Sequence, residues 1–138
     1  MSLFNIFDVA GSGMSAQSIR LNVVASNLSN ADNVSGTEAG AYRAKEPIFE
    51  AIYGSVRGMG DEVNGVRVAS IKESATPIQA RYMPDNPEAD ANGYVYGSNV
   101  NPIEEMVNMI SASRSYQNNI EVMNTSKQML LRTLTLGE

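Results

Sequence analysis

Apolar residues recur every seven positions over the first thirty residues, and this spacing predicts one long helix. Two interleaved sets of positions form an a/d seam of the coiled-coil type, with Gln17 as its polar interruption. Gly11 and Gly13 each weaken such a helix by about 1 kcal/mol relative to alanine, so we expect it to need a packing partner. The seam positions are Leu3, Phe7, Ala10, Met14, Gln17, Leu21, Val24 and Leu28.

A second and longer helix is predicted from residue 102 to about residue 136. Asn101 is a favourable N-cap, Pro102 suits the first helical position, and Glu104 lies at N3. Gly137 is expected to end the helix. The apolar stripe along it contains Met106, Met109, Tyr116, Ile120, Met123, Leu130 and Leu134.

The middle of the chain has a β-like pattern. Eight of the eleven Gly and four of the five Pro lie within residues 31–101, where they interrupt any helical repeat. Apolar and polar residues alternate over 66–71, which predicts a half-buried strand. Asn92-Gly93 is a turn signal, and Tyr94-Val95-Tyr96 is predicted to be the strand that follows it. The apolar patch over 48–53 has no clear period.

Two loops and the overall organisation follow from these elements. Residues 32–41 are rich in small and polar side chains and are predicted to be a flexible loop, and residues 54–65 are predicted to connect a hairpin. We therefore expect an α+β fold, with two long terminal α-helices paired as a coiled coil and a small β-rich middle region. The predicted divisions are 1–30 for the N-terminal helix, 31–101 for the middle and 102–138 for the C-terminal helix.

Composition narrows the possible functions. The chain has 138 residues, a hydrophobic fraction of 43%, no Cys and no His. These two absences remove thiolate nucleophiles, imidazole bases and the commonest metal ligands. The net charge of −5 disfavours a nucleic-acid surface. No apolar run is long enough to span a membrane, and the first residues have no basic region like that of a cleaved signal peptide.

Three short motifs resemble parts of known cofactor, metal or catalytic sites. Gly11 to Ala16 matches the dinucleotide fingerprint G-x-G-x-x-A, although that motif needs a preceding strand and the sequence before it follows a heptad. Residues 88–93 resemble the start of a calcium loop, but Asn99 stands where a bidentate Glu is required. Glu104 and Glu105 suit a helix N-terminus better than a catalytic pair. No cofactor or metal site is predicted.

Three stretches are similar to the flagellar basal-body rod, hook and hook-associated axial proteins. They are Ser26-Asn27-Leu28-Ser29-Asn30-Ala31-Asp32, Ala41-Tyr42-Arg43-Ala44-Lys45, and the helix from Glu105 to Leu134. The last stretch contains Ser115-Tyr116-Gln117-Asn118-Asn119, which resembles a motif of the family's C-terminal helix.

The details resemble the proximal-rod branch of this family most closely. Residues 90–95, 109–116 and 131–137 carry that likeness, which extends over nearly the whole chain and is weakest at 50–65. The turn after Asn30 is longer than in distal-rod and hook relatives, and the middle region is too short for a hook-type outer domain.

The resemblance implies a structural subunit of the periplasm-spanning rod rather than an enzyme. It implies export through the flagellar apparatus without a cleaved signal peptide. The implied partners are copies of the chain itself, other proximal and distal rod proteins, proteins of the rod–membrane-ring junction and the export apparatus, with no nucleic acid. Two alternatives remain open at this point, a small dinucleotide-binding enzyme that uses Gly11 to Ala16 and a soluble coiled-coil adaptor.

An assembly interface along both helices is expected from the seams and the resemblance together. Five amides, on Asn27, Asn30, Gln117, Asn118 and Asn124, are predicted to fix the register between helices, because an unpaired buried amide costs about 1–3 kcal/mol. Both ends of the isolated monomer are predicted to be disordered. The expected interface residues are Phe7, Met14, Leu21, Val24, Asn27, Leu28, Asn30, Tyr42, Met109, Tyr116, Gln117, Asn118, Ile120, Met123, Asn124, Leu130 and Leu134.

Overall fold

One long helix precedes and another follows a β-rich middle region along the chain, which confirms the predicted α+β class. The computed structural model describes residues 3–54 and 62–135. Gly137, the predicted helix stop, and most of the predicted hairpin connection lie outside these residues. The elements are α1 (Leu3–Ser29), β1 (Val34–Ser35), a 3-10 turn (Glu38–Gly40), β2 (Lys45–Gly54), β3 (Glu62–Glu73), β4 (Ala80–Tyr82), β5 (Tyr94–Gly97) and α2 (Pro102–Thr135).

The start of α2 confirms the predicted cap. The side-chain Oδ1 of Asn101 accepts a hydrogen bond from the backbone N–H of Ile103 at 3.1 Å. Glu104 and Glu105 occupy the first turn, where carboxylates interact favourably with the positive end of the helix dipole. These features fix the beginning of a helix of 34 residues.

The strands β2 and β3 form an antiparallel hairpin that packs against α1. Lys45 pairs with Glu73 at one end and Gly54 with Glu62 at the other, with two register irregularities between them. The apolar patch at 48–53 is therefore part of a strand, and residues 62–65 belong to β3 rather than to the predicted connection. A two-stranded hairpin is marginally stable alone, so its packing on a helix is expected.

Ser12 of α1 is the point at which the hairpin is attached to the helix. Its Oγ accepts a hydrogen bond of 3.1 Å from the backbone N–H of Val66. The neighbouring Gly65 is buried at a φ of +152°, and a Cβ added there would collide with Ser12 Oγ. Ala16 and Val23, which helical spacing places on the same side as Ser12, are also buried. One face of α1 therefore lies against the hairpin.

A second sheet has the order β1-β5-β4, with all strands antiparallel. Val95 of the central strand is fully buried. The prediction of a flexible loop over 32–41 is wrong, because Val34 pairs with Gly97 and the Thr37 side chain caps the 3-10 turn. The pairing partner lies some sixty residues away in the chain, so no local pattern indicated it.

The contacts narrow the prediction about disorder in the isolated monomer. The hairpin is joined to α1 at Ser12 and again at Asn27, and Glu105 in the first turn of α2 also meets Asn27, whereas the last turns of α2 lie furthest from these contacts. We therefore expect fast amide exchange over about 120–135 of the isolated chain, and slower exchange near Ser12 and Asn27. Hydrogen exchange read by mass spectrometry checks this, and uniform protection of both helices in a proven monomer would contradict it.

Candidate assembly site

The two terminal helices pack antiparallel with a matched seven-residue register. Asn27 on α1 contacts Glu105 on α2 at 3.0 Å. At the other end of the contact, a Cβ placed on Gly13 would lie 2.8 Å from Asn119 Nδ2. Fourteen residues separate the two contact positions on each helix. Between them, Arg20 donates a hydrogen bond of 3.0 Å to Asn108 Oδ1. The interface therefore extends along most of α1.

Small and polar side chains form this interface. The fully or nearly buried residues of α2 are Ala112 and Ser126, which stand seven residues on either side of Asn119. Gly13 leaves room for the side chain of Asn119, which a Cβ at that position would meet. The Oε1 of Gln17, the predicted polar interruption, is buried without a hydrogen-bond partner among the described residues. The helix pair thus buries little large apolar surface between its members.

The predicted seven-residue period is correct, but only some of the predicted positions lie on the buried side of the helices. On α1, Ala10 and Val24 are buried as the heptad requires, whereas the set containing Phe7 is only half-buried. On α2, the predicted set containing Met106, Ile120 and Leu134 is exposed. Several residues through which the helices face each other were not predicted, because they are small or polar and a search for apolar positions passes over them. The missed residues are Gly13, Arg20, Ala112, Asn119 and Ser126.

The single chain leaves most of the expected interface residues accessible. Two of them, Val24 and Asn27, are buried. A second group is half-buried and consists of Phe7, Met14, Leu21, Leu28, Asn30, Tyr42, Met109, Tyr116, Met123 and Leu130. A third group is exposed and consists of Gln117, Asn118, Ile120, Asn124 and Leu134. Contacts with other subunits by any of them stay a prediction.

Asn27 is the junction at which both helices and the hairpin meet. Its Nδ2 donates to the backbone oxygen of Lys45 at 2.9 Å and to Glu105 Oε2 at 3.0 Å. Its Oδ1 accepts from the Lys45 N–H at 2.9 Å and from the Tyr42 hydroxyl at 3.1 Å. Every hydrogen-bonding position of this fully buried amide is used. The side chain therefore fixes the end of α1 against β2 and α2.

The other four amides of the register hypothesis have different surroundings in the single chain. Asn30 Nδ2 donates to the backbone oxygen of Ser26 within the same helix end. Gln117, Asn118 and Asn124 are exposed on α2. Only Asn27 therefore joins separate elements here, and a register-fixing role for the others requires a neighbouring subunit.

The dinucleotide interpretation is wrong. Gly11 to Ala16 lie in the middle of the continuous helix α1, whereas the fingerprint requires a turn between a strand and a helix. Within the described ranges, no three His, Cys, Asp or Glu side chains gather as a metal site. No helix in the same part of the chain is long and apolar enough to cross a bilayer.

Comparison with known proteins agrees with the resemblance. The family model described as Flagella basal body rod protein matches residues 7–36, and the model for the C-terminal region of Flagellar basal body rod FlgEFG protein matches residues 91–136. The chain is 56% identical to the flagellar basal-body rod protein FlgC of Salmonella typhimurium and 54% identical to that of Yersinia enterocolitica. It is 46% identical to that of Buchnera aphidicola from Acyrthosiphon pisum.

These alignments cover all of this chain and all of each relative. The two family models fall on the two helices and the segments that adjoin them; they include the resemblance at 26–32 and along α2, whereas Ala41 to Lys45 lies outside both. The chain therefore belongs to the FlgC family of flagellar basal-body rod proteins.

Proposed function

We propose that this chain is a structural subunit of the proximal part of the flagellar rod and that it assembles helically through its terminal helices. The main support for the proposal is which side chains of α2 are buried and which are exposed. Small and polar residues supply the buried positions of α2 in its contact with α1, and many of the large apolar residues of α2 are exposed in the single chain. A chain that folded to act alone would bury the larger side chains first, because burial of apolar surface is the main stabilising term.

The outer face of α2 is the strongest candidate for contact with neighbouring subunits. Ile103, Met106, Val107 and Ile110 are spaced to form one stripe on the helix, and Ile103 is 70% exposed. Contiguous exposed apolar residues of this kind mark interaction sites. Four side chains fall well short of the roughly 800 Å² per partner of a stable binary interface. Each subunit in a helical array would make several such contacts, and together they would bury the remaining area that a stable assembly needs.

One end of α2 projects beyond its partner. Continuing the observed register places Leu3 of α1 opposite Met129, so residues 130–135 extend past the first described residue of α1. Leu131 and Leu134 in this projection are more than half exposed. The projection offers a second apolar surface, at the opposite end of α2 from the stripe at Ile103 to Ile110.

The proposal includes the location and the partners that the resemblance implies. The subunit would occupy the periplasm-spanning rod and reach it by flagellar export without a cleaved signal peptide. Its neighbours would be copies of itself, other proximal and distal rod proteins and the rod–membrane-ring junction. A role without catalysis is supported by the absence of His and Cys from the sequence and by the rod-protein names of the relatives.

A serine substitution on the outer face of α2 tests the proposal. Ile110→Ser removes an exposed apolar side chain, so the isolated chain should change in stability by less than about 0.5 kcal/mol. Incorporation into purified basal bodies, measured by quantitative mass spectrometry, should fall about tenfold, and motility should be lost.

Ile71→Ser is the matched control, because Ile71 is exposed to a similar extent but lies on the hairpin. Normal incorporation of Ile110→Ser would show that this face is not the assembly surface. Absence of the unmodified chain from basal bodies would instead favour the soluble adaptor.

A further inference from the structure

Tyr82, Met83, Pro84 and Tyr94 form an exposed aromatic patch at the end of the three-stranded sheet. Tyr82 and Tyr94 are a cross-strand pair whose ring centroids lie 5.3 Å apart in an edge-to-face arrangement. Tyr82 is 64% exposed, and Met83 and Tyr94 are more than two-fifths exposed. The patch adjoins a shallow groove of about 520 Å³ whose wall continues through Asp85, Asn86 and Pro87.

The patch lies on the side of the sheet that the core does not use. Along β5, Val95 is fully buried, and successive side chains of a strand point to opposite faces. Tyr94 and its partner Tyr82 are therefore directed away from the core. The fold does not require two aromatic rings in that position, because both remain exposed among the residues that the structure describes.

The connection from β4 to β5 holds the patch in a fixed shape. Gly93 has a φ of +81°, and a Cβ placed on it would lie 2.9 Å from Tyr82 Cε2 and 3.2 Å from Pro84 Cβ. Asp90 Oδ1 accepts hydrogen bonds from the backbone N–H groups of Asn92 and Tyr94 at 2.8 and 2.9 Å. The Met83 N–H donates to the Gly93 oxygen at 2.9 Å. A surface ordered in advance loses little entropy on binding.

Acidic residues dominate the connection that borders the patch, and Arg81, which precedes Tyr82, is placed on the opposite face of β4 by the alternation of a strand. Residues 83–93 include Asp85, Glu88 and Asp90 and no Lys or Arg. Neither of the two ion pairs among the described residues, Arg43 with Glu38 and Arg67 with Glu50, involves these carboxylates. An acidic rim around exposed aromatic rings favours a partner that presents basic and apolar side chains together.

We propose that the aromatic patch docks a basic, apolar-containing segment of a protein other than this chain. A second copy that met this patch with its own would be a less suitable occupant, because the two acidic rims would repel each other. Tyrosine in a rigid surface is a common source of binding energy at interfaces. This contact is separate from the α2 surfaces, and it rests on the proposed function only because its partner is sought in the basal body.

A photo-cross-linking amino acid at Met83 tests the inference in purified basal bodies. We expect an adduct with a different protein, joined through a segment that contains Lys or Arg. Tyr82→Ser should lower the yield of that adduct about tenfold. Tyr53→Ser is the matched control, because Tyr53 is 63% exposed and lies on β2, outside the patch. Its adduct yield should be unchanged.

A second variant, Asp85→Lys, keeps both rings and reverses one charge of the rim, and it should also lower the yield severalfold. An adduct with the chain's own copy, an adduct through an acidic segment, or equal yields in Tyr82→Ser and Tyr53→Ser would overturn the inference. The inference would also be overturned if the modified chain is present in the basal bodies but forms no adduct. If the unmodified chain is itself absent from basal bodies, the proposed function fails, and the inference fails with it.

Discussion

Replacing Asn27 with alanine is expected to lower the free energy of unfolding by about 3 kcal/mol or more. The substitution removes a fully buried side chain and leaves the N–H and C=O of Lys45 without their partner, while the Tyr42 hydroxyl keeps only its bond with Ser26 Oγ. Each buried polar group without a partner costs about 1–3 kcal/mol. Because single domains have only about 5–15 kcal/mol of stability, we also expect poor incorporation into basal bodies. Urea denaturation followed by circular dichroism measures the loss.

Asn118→Ala provides the comparison for this experiment. Asn118 is an amide on the exposed surface of α2. Its replacement should change the free energy of unfolding by less than about 0.5 kcal/mol. Equal effects of the two substitutions would mean that the junction around Asn27 does not hold the helices and the hairpin together.

Gly13→Leu is expected to displace Asn119 and disturb the contact between α1 and α2. Even a Cβ at this position would lie 2.8 Å from Asn119 Nδ2, so the larger leucine side chain requires the Asn119 side chain to move. Overpacking of this kind costs about 1–3 kcal/mol. Leucine is the better helix former by somewhat less than 1 kcal/mol, which offsets part of the loss. The measurements are the urea midpoint of the isolated chain and motility of the strain.

Gly11→Leu is the internal control, since it lies on the same helix two residues away. A Cβ at Gly11 has no neighbouring atom within 4 Å. The gain in helix propensity should therefore appear undiminished and raise stability by somewhat less than 1 kcal/mol. If both leucine variants gain stability, the close contact between Gly13 and Asn119 is wrong.

The helices could be predicted from local signals, since caps and periods are encoded in neighbouring residues. Asn101 and Pro102 indicated the start of α2, and the heptad indicated that the helices pair. The same reasoning failed to identify the facing side of α2. It ranked Met106, Ile120 and Leu134 above Ala112 and Ser126 because larger apolar residues usually mark the buried side. In this chain, the buried positions of α2 are occupied by small side chains instead.

The junction and the sheets depended on partners that no local pattern contains. Asn27 was singled out as a residue that fixes register between helices, but its bonds to Lys45 and Tyr42 join a helix to a strand and a loop. β1 consists of two residues and exists because β5 lies beside it. The strand pattern at 66–71 and the turn at Asn92-Gly93 were local and were predicted correctly. Strands that depend on distant pairing were not.

The unequal lengths of α1 and α2 give the subunit a direction. At one end the helices finish together near the sheets, and at the other end residues 130–135 of α2 extend past the first described residue of α1, with Leu131 and Leu134 exposed. Two surfaces at opposite ends of one helix differ in shape and composition, so a contact between them joins unlike ends and does not close into a symmetric pair. If subunits stack through these two surfaces as proposed, the stack would grow with one fixed polarity.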